Sequence, residues 1–151
     1  MTTMLIINGP NLNLLGQREP EVYGSATLSD VEALCRAECE RLNLDIEFRQ
    51  SNHEGELIDW IHGAGPRCSS GELSGVVLNP GAFTHTSIAL YDAIKAAAAP
   101  VIEVHISNVY AREDFRRHSY VSPAAAGIII GFGVHGYALA IEGLHELSLS
   151  R

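Results

Sequence analysis

Apolar residues along this chain come in short runs set off by polar turns, and the runs switch between strand-like and helix-like spacing. Met4 to Ile7 is a compact apolar run of the kind that a doubly buried strand shows. Leu28, Val31, Leu34, Cys35 and Leu42 then recur at helical spacing, which predicts a helix over Thr27–Leu42 with Thr27 or Ser29 as its cap. Leu44–Phe48 alternates like a half-exposed strand. Glu54–His62 reads as a second helix, stopped by Gly63-Ala-Gly-Pro66. A polar loop is expected over Arg67–Ser74, followed by a buried strand at Val76–Leu78 that stops at Asn79-Pro80-Gly81. Thr84–Ala99 predicts a third helix, capped by Thr84 or Thr86 and ended by Pro100. A fourth strand begins at Val101 and carries the apolar residues Ile102, Val104 and Ile106. The loop Asn108–Pro123, a fifth strand at Gly127–Ile130 and a last helix over His135–Leu147 complete the chain.

Strands alternating with helices imply a parallel sheet with right-handed crossovers and helices on both faces. The expected fold is therefore α/β, a flavodoxin-like doubly wound sheet of order 2-1-3-4-5, spanning residues 1–151 as a single catalytic domain. Ligands of such sheets bind beyond the carboxyl ends of the strands. Those ends carry Asn8-Gly-Pro-Asn11, Asn79-Pro-Gly81 and His105-Ile-Ser-Asn108. The connection from Leu12 to Ala26 is long for this architecture, which suits a functional flap with Gly16 and Gly24 as hinges.

The fourth strand breaks its apolar pattern at every second residue, with Glu103, His105 and Ser107. Side chains alternate along a strand, so these three share one face. A buried carboxylate and imidazole need partners, and Glu103 two residues from His105 can hold one ring nitrogen while the other faces elsewhere. A structural pair and a catalytic acid both fit that pattern.

The net charge of −8 argues against nucleic acid as a partner, and no apolar run approaches the length that spans a bilayer. The first residues pass directly into a strand, so no secretory leader is expected. Cys35, Cys39 and Cys68 lack further ligands at metal-binding spacing and read as small apolar filler in a reducing, cytoplasmic compartment. Gly131-Phe-Gly-Val-His-Gly136 fits a dinucleotide-binding pattern, but too little chain follows for the second strand and its ribose-binding acid. A tight turn with close helix–sheet packing is the better reading. Walker-type and G-x-S-x-G motifs are absent. A flavin- or phosphate-binding module would want a Ser/Thr/Gly-rich turn after the first strand, where this chain has Asn, Pro and Leu. A receiver-type domain would want acidic residues where Asn8, Asn11 and Asn79 stand.

Against this acidic background, Arg18, Arg112, Arg116 and Arg117 all fall in loops at the carboxyl edge of the sheet. Arginine there suits a small carboxylate or phosphate ligand, although Arg117 reads better as solvated surface. Tyr23 lies five residues from Arg18 in the same flap. A phenol ionises near pH 10 and is a poor base at neutrality. Lowering that by about 2 pH units takes roughly 2.7 kcal/mol, within reach of one or two guanidiniums in a closed site.

Together, Asn8-Gly-Pro-Asn-Leu-Asn-Leu-Leu-Gly16, Glu21-Val-Tyr-Gly24, Asn79-Pro-Gly-Ala-Phe-Thr-His-Thr-Ser87, Glu103-Val-His-Ile-Ser107 and Arg112-Glu-Asp-Phe-Arg-Arg-His-Ser119 resemble type II 3-dehydroquinate dehydratase, in order along nearly the whole chain. Phe83, where that family often has tyrosine, and a long Arg67–Ser74 loop are the departures. The resemblance implies a cofactor-free hydro-lyase of the shikimate pathway, turning 3-dehydroquinate into 3-dehydroshikimate through an enolate. It implies Tyr23 as the base, its pKa lowered by Arg18 and Arg112, and Asn11 as a stabiliser of the enolate. His105, oriented by Glu103, would be the general acid. Asn79 and the backbone N–H groups of Ile106 and Ser107 would hold the substrate carboxylate, with His85 and Arg116 on ring hydroxyls. Asp92 would reach a neighbouring subunit's site in a homo-oligomer, a dodecamer built from trimers. No metal site is implied. Lys95, the sole lysine, sits inside a predicted helix, which disfavours the Schiff-base route to the same product.

Overall fold

The computed structural model describes residues 1–150. Among them, strands β1 (Thr3–Asn8), β2 (Asp45–Gln50), β3 (Leu73–Asn79), β4 (Val101–His105) and β5 (Gly127–Ile130) form one sheet. All neighbours are parallel and the order is β2-β1-β3-β4-β5, as the alternating pattern predicts. Helices α1 (Pro20–Tyr23), α2 (Leu28–Arg41), α3 (Glu54–Ser69), α4 (Ile88–Ala97) and α5 (His135–Leu149) make the connections and the outer layers. None of the described helices is long and apolar enough to cross a membrane.

Alternation along each strand divides the interior into two cores. Met4, Ile6, Val77, Ile102 and Val104 face α2 and α5, where Val31, Cys35, Cys39, Ile141 and Leu144 meet them. Leu5, Ile7, Val76, Leu78 and Val101 face α3 and α4, against Leu57, Ile61, Leu90 and Ile94. Burial on both sides is why β1, β3 and β4 read as near-continuous apolar runs. Cys35 and Cys39 are fully buried free thiols, and burial pushes them up to about 12 and about 11 respectively. They fill space, as expected from the sequence. Thr27 caps α2 in a reciprocal box with Asp30, at 3.2 and 2.9 Å. The Gly131–Gly136 stretch is a turn that runs into the first residues of α5, with Gly131 and Gly133 at φ 90° and 62°. A Cβ on Gly136 would lie 3.3 Å from Val104 of the sheet, so the glycine serves close helix–sheet contact.

Several boundaries differ from expectation. Helix α3 does not stop at Gly63 but runs through Gly65 and Pro66 to Ser69, and β3 begins at Leu73, so no eight-residue loop separates them. Pro66 removes one backbone donor, yet burial of the Leu57–Ile61–Ala64–Gly65 face outweighs that loss. The third predicted helix begins later than its apolar spacing suggests. Thr84 lies in a 3₁₀ turn over Gly81–His85, and Ser87 caps α4 by accepting from the Leu90 N–H at 2.9 Å. Strand β4 ends at His105, which leaves Ile106 and Ser107 in the following loop. The long connection after β1 holds a 3₁₀ turn at Leu12–Leu14 and the single turn α1.

Two glycines of α3 separate helix propensity from packing. A Cβ on Gly65 would come within 2.5 Å of the Ala97 carbonyl oxygen, whereas one on Gly63 meets nothing within 4 Å. Gly63→Ala should stabilise the fold by about 0.4–1 kcal/mol, and Gly65→Ala should destabilise it by about 1–3 kcal/mol. Denaturant unfolding of the two variants checks the opposite signs.

Candidate active site

Glu103 and His105 project from the same face of β4, and Glu103 is wholly excluded from water. Its Oε2 accepts from the Thr84 hydroxyl at 2.7 Å and from His105 Nε2, while Oε1 accepts from the Ser122 hydroxyl at 2.5 Å. Burial alone would push the Glu103 carboxyl up. The donors from His105, Ser122 and Thr84 together outweigh burial and hold it below the usual carboxylate range. An ionised carboxylate only accepts, so Nε2 of His105 carries its hydrogen and Nδ1 is the nitrogen left for a ligand. Ser119 supports the same corner. Its hydroxyl accepts from the backbone N–H groups of Val121 and Ser122 at 3.1 and 3.0 Å and pairs with Thr84 at 2.5 Å.

The flap lies over this corner. Leu12 and Leu15 anchor its base in the core beside α2, and Gly16 and Gly24 take φ of 91° and 82°. Between them, α1 begins with Pro20 at a favourable first-turn position and ends at Tyr23. Arg112 Nη1 donates to the Tyr23 phenol oxygen at 2.8 Å, and its side chain is only 12% exposed. The guanidinium carbons of Arg18 and Arg112 stand 5.0 and 5.2 Å from the centre of the Tyr23 ring. Arg112 also reaches the Ser107 hydroxyl at 3.4 Å.

On the opposite wall, His85 Nδ1 meets the His118 carbonyl at 2.8 Å, so Nδ1 carries the hydrogen and Nε2 offers a lone pair. Burial, aided by His105 and Arg116, pulls His85 below its ordinary value despite the opposing pull of the His118 carbonyl. The ring is therefore neutral at neutral pH. Arg116 Nε donates to Glu113 at 2.7 Å.

These groups surround one cavity of about 50 Å3, lined by Asn11, Arg18, Tyr23, Asn79, His85, His105, Ile106, Ser107, Arg112 and Arg116. Of the residues singled out in the sequence, Glu103 stands behind His105 instead of on the wall, and Asp92 is exposed on α4, away from this chain's own cavity. Arg117 is surface, 3.4 Å from Asp114, and Lys95 is exposed on α4. A far larger groove of about 1030 Å3 runs along β5 and α5, past Ile128, Phe132 and Leu139. It contains none of the clustered arginines and neither Tyr23 nor His105, so convergent polar groups, not volume, mark the candidate site. Among the described residues no group of His, Cys, Asp or Glu is arranged to hold a metal ion.

The family model for dehydroquinase class II matches residues 2–145. This chain belongs to the class II dehydroquinases. It is 64% identical over 148 residues to a 3-dehydroquinate dehydratase of Marinomonas sp. (strain MWYL1), covering 97% of this chain and 99% of that protein. It is 65% identical over 144 residues to 3-dehydroquinate dehydratase 2 of Ralstonia nicotianae (strain ATCC BAA-1114 / GMI1000), covering 95% and 94%. The crystal structure of the type II dehydroquinase from Propionibacterium acnes superposes with a TM-score of 0.88 at 43% identity, over 99% of this chain and 97% of that one.

Sequence reasoning missed two groups of polar residues in this dehydroquinase. Thr84, Ser119 and Ser122 surround Glu103, and Tyr137 of α5 is bonded to Asn8 and Asn79. The hydroxyls carried no periodic signal. Tyr137 did carry one, because a tyrosine on the buried face of a helix needs a partner for its hydroxyl.

Glu103 makes the fold sensitive to acid. Its folded-state pKa lies below its unfolded one, so the unfolded chain binds the extra proton between them and stability rises with pH there. That contribution is complete above the ordinary value of about 4.3 and is lost as pH falls through the folded value. Glu103→Gln should be less stable at neutral pH and show a shallower acid-side decline of Tm. Melts from about pH 6 to about pH 3 measure both.

Proposed function

We propose that this chain eliminates water from 3-dehydroquinate to give 3-dehydroshikimate, without a cofactor, through an enolate. The reaction class, a hydro-lyase of the shikimate pathway, comes with membership of the dehydroquinases. The observation that carries the chemistry is the Arg112–Tyr23 bond at 2.8 Å in a cavity shared with a Glu103-anchored His105.

In this reading Tyr23 acts as the phenolate. It takes the proton on the carbon next to the ketone, with Arg18 and Arg112 beside its ring. The C–H electron pair moves into the enolate, whose oxygen Asn11 helps to stabilise. Collapse of the enolate forms the ring double bond and breaks the C–O bond to the tertiary hydroxyl. His105, as imidazolium, gives that hydroxyl its Nδ1 proton and releases water. Glu103 stabilises the imidazolium and fixes its orientation. The Asn79 side chain and the backbone N–H groups of Ile106 and Ser107 take the substrate carboxylate. His85 Nε2 accepts from a ring hydroxyl, and Arg116 binds another. Lys95, exposed on α4, supplies no Schiff base to this cavity. Exposed Asp92 serves a neighbouring subunit's site in a trimer-based dodecamer, and the enzyme works in the cytoplasm. A cavity of about 50 Å3 holds only a few waters, so substrate enters when the Gly16–Gly24 flap lifts.

Purified protein mixed with 3-dehydroquinate should generate the ultraviolet absorbance of a conjugated enone with no metal or nucleotide added. Tyr23→Phe should abolish this turnover while largely sparing affinity for a substrate analogue, because only the proton acceptor is lost. Near-normal kcat in that variant removes Tyr23 from the base role. His105→Ala should lower kcat by at least about a hundredfold. A change confined to KM makes it a binding residue instead.

A further inference from the structure

Tyr137 enters from α5, is completely buried and lines no part of the cavity. Its hydroxyl accepts from Asn79 Nδ2 at 2.8 Å and donates to Asn8 Oδ1 at 2.7 Å. Both ends of this chain of bonds are fixed by backbone. The Gly81 N–H can only donate, so the Asn79 atom 3.1 Å from it is Oδ1. The Arg49 carbonyl can only accept, so the Asn8 atom 3.1 Å from it is Nδ2. Every intervening bond therefore has one direction, from Gly81 through Asn79, Tyr137 and Asn8 to Arg49. Turning the Asn79 amide over would set its NH2 group against the Gly81 N–H and leave Asn8 without its donor. With Oδ1 and one Nδ2 hydrogen committed, Asn79 keeps a single N–H to offer the cavity.

We propose that Tyr137 is a positioning residue, which holds the Asn79 amide so that its remaining N–H meets the substrate carboxylate. This rests on the assignment of Asn79 to that carboxylate made above. The carboxylate is carried by the carbon that loses the hydroxyl, but it is an anion before and after that bond breaks, so the contact is worth nearly the same in ground and transition states. Its loss appears in KM, not in kcat.

Steady-state kinetics on 3-dehydroquinate with Tyr137→Phe, Asn79→Ala and the double variant test this. Tyr137→Phe should raise KM about tenfold with kcat within about twofold. Asn79→Ala should raise KM at least as much, and the double variant should be no worse than Asn79→Ala, because the two residues act as one unit. A purely structural Tyr137 would lower Tm and leave KM alone, or would multiply with Asn79→Ala, and either result overturns the proposal. An unchanged KM in Asn79→Ala instead overturns the carboxylate assignment and this inference with it. If Tyr137→Phe does not fold, Asn8→Ala frees the Tyr137 proton while keeping the ring. It should raise KM at least threefold, an effect absent in the Asn79→Ala background, and an unchanged KM overturns the proposal.

Discussion

Glu103 keeps a carboxylate out of water in the middle of a parallel sheet, and an ion there is tolerated only where protein donors replace the lost hydration. His105 supplies one donor from two residues along the strand. The others come from Thr84 and Ser122, which lie far apart in sequence. Satisfying this one group therefore ties the 3₁₀ turn after β3 to the loop before β5. That turn also carries His85, and the preceding strand end carries Asn79. The requirement to solvate a buried charge thus fixes the relative positions of groups that line the cavity.

A second polar chain does similar work one strand away. Asn8 and Asn79 end neighbouring strands in register, and Tyr137 bridges them from the helix above. β1 and β3 are the strands between which the connections change direction in a 2-1-3-4-5 sheet, so the crevice at their ends is open by topology. Two apolar cores clamp the sheet from either side. The polar residues at the strand ends are held by a rigid scaffold, while Tyr23 and Arg18 arrive on the flap.

Fold order and strand positions were legible because burial on both faces writes itself as apolar runs, and β5 was found to the residue. Helix ends were less so. Gly63 and Pro66 are local stop signals, and they lost to the burial of Leu57, Ile61 and Ala64, a tertiary term that no window of sequence contains. The candidate site was legible where chemistry contradicts pattern, as with Glu103 and His105 in an apolar strand. Asn11, Arg18, Tyr23 and Arg112 came from loop position and family motif together, and the structure sets all four around the cavity. The hydroxyls of Thr84, Ser119 and Ser122 were not legible, because a serine or threonine looks the same whether it faces solvent or satisfies a buried carboxylate, and Tyr137 signalled only that its hydroxyl needs a partner, not which one.

As the lid proposed above, the flap has to be held firmly enough to exclude water and still open. In the structure it is held by the Arg112–Tyr23 bond and by Glu19, which stands 3.7 Å from both Arg18 and Arg112. Glu19 and Arg18 are both substantially exposed, and exposed pairs of this kind contribute about 1 kcal/mol at most. Against them, Glu19 holds a left-handed backbone, φ 41°, that costs a non-glycine residue roughly 1–2 kcal/mol. Helix α1 is a single turn with no fully buried residue, and half-buried Tyr23 packs against the edge of the core, so opening would uncover little of it. The terms that close the flap and those that resist closure are of one size. A ligand that adds even a few contacts on the flap side, such as a carbonyl or hydroxyl within reach of Arg18, would tip the balance toward closure only while it is bound.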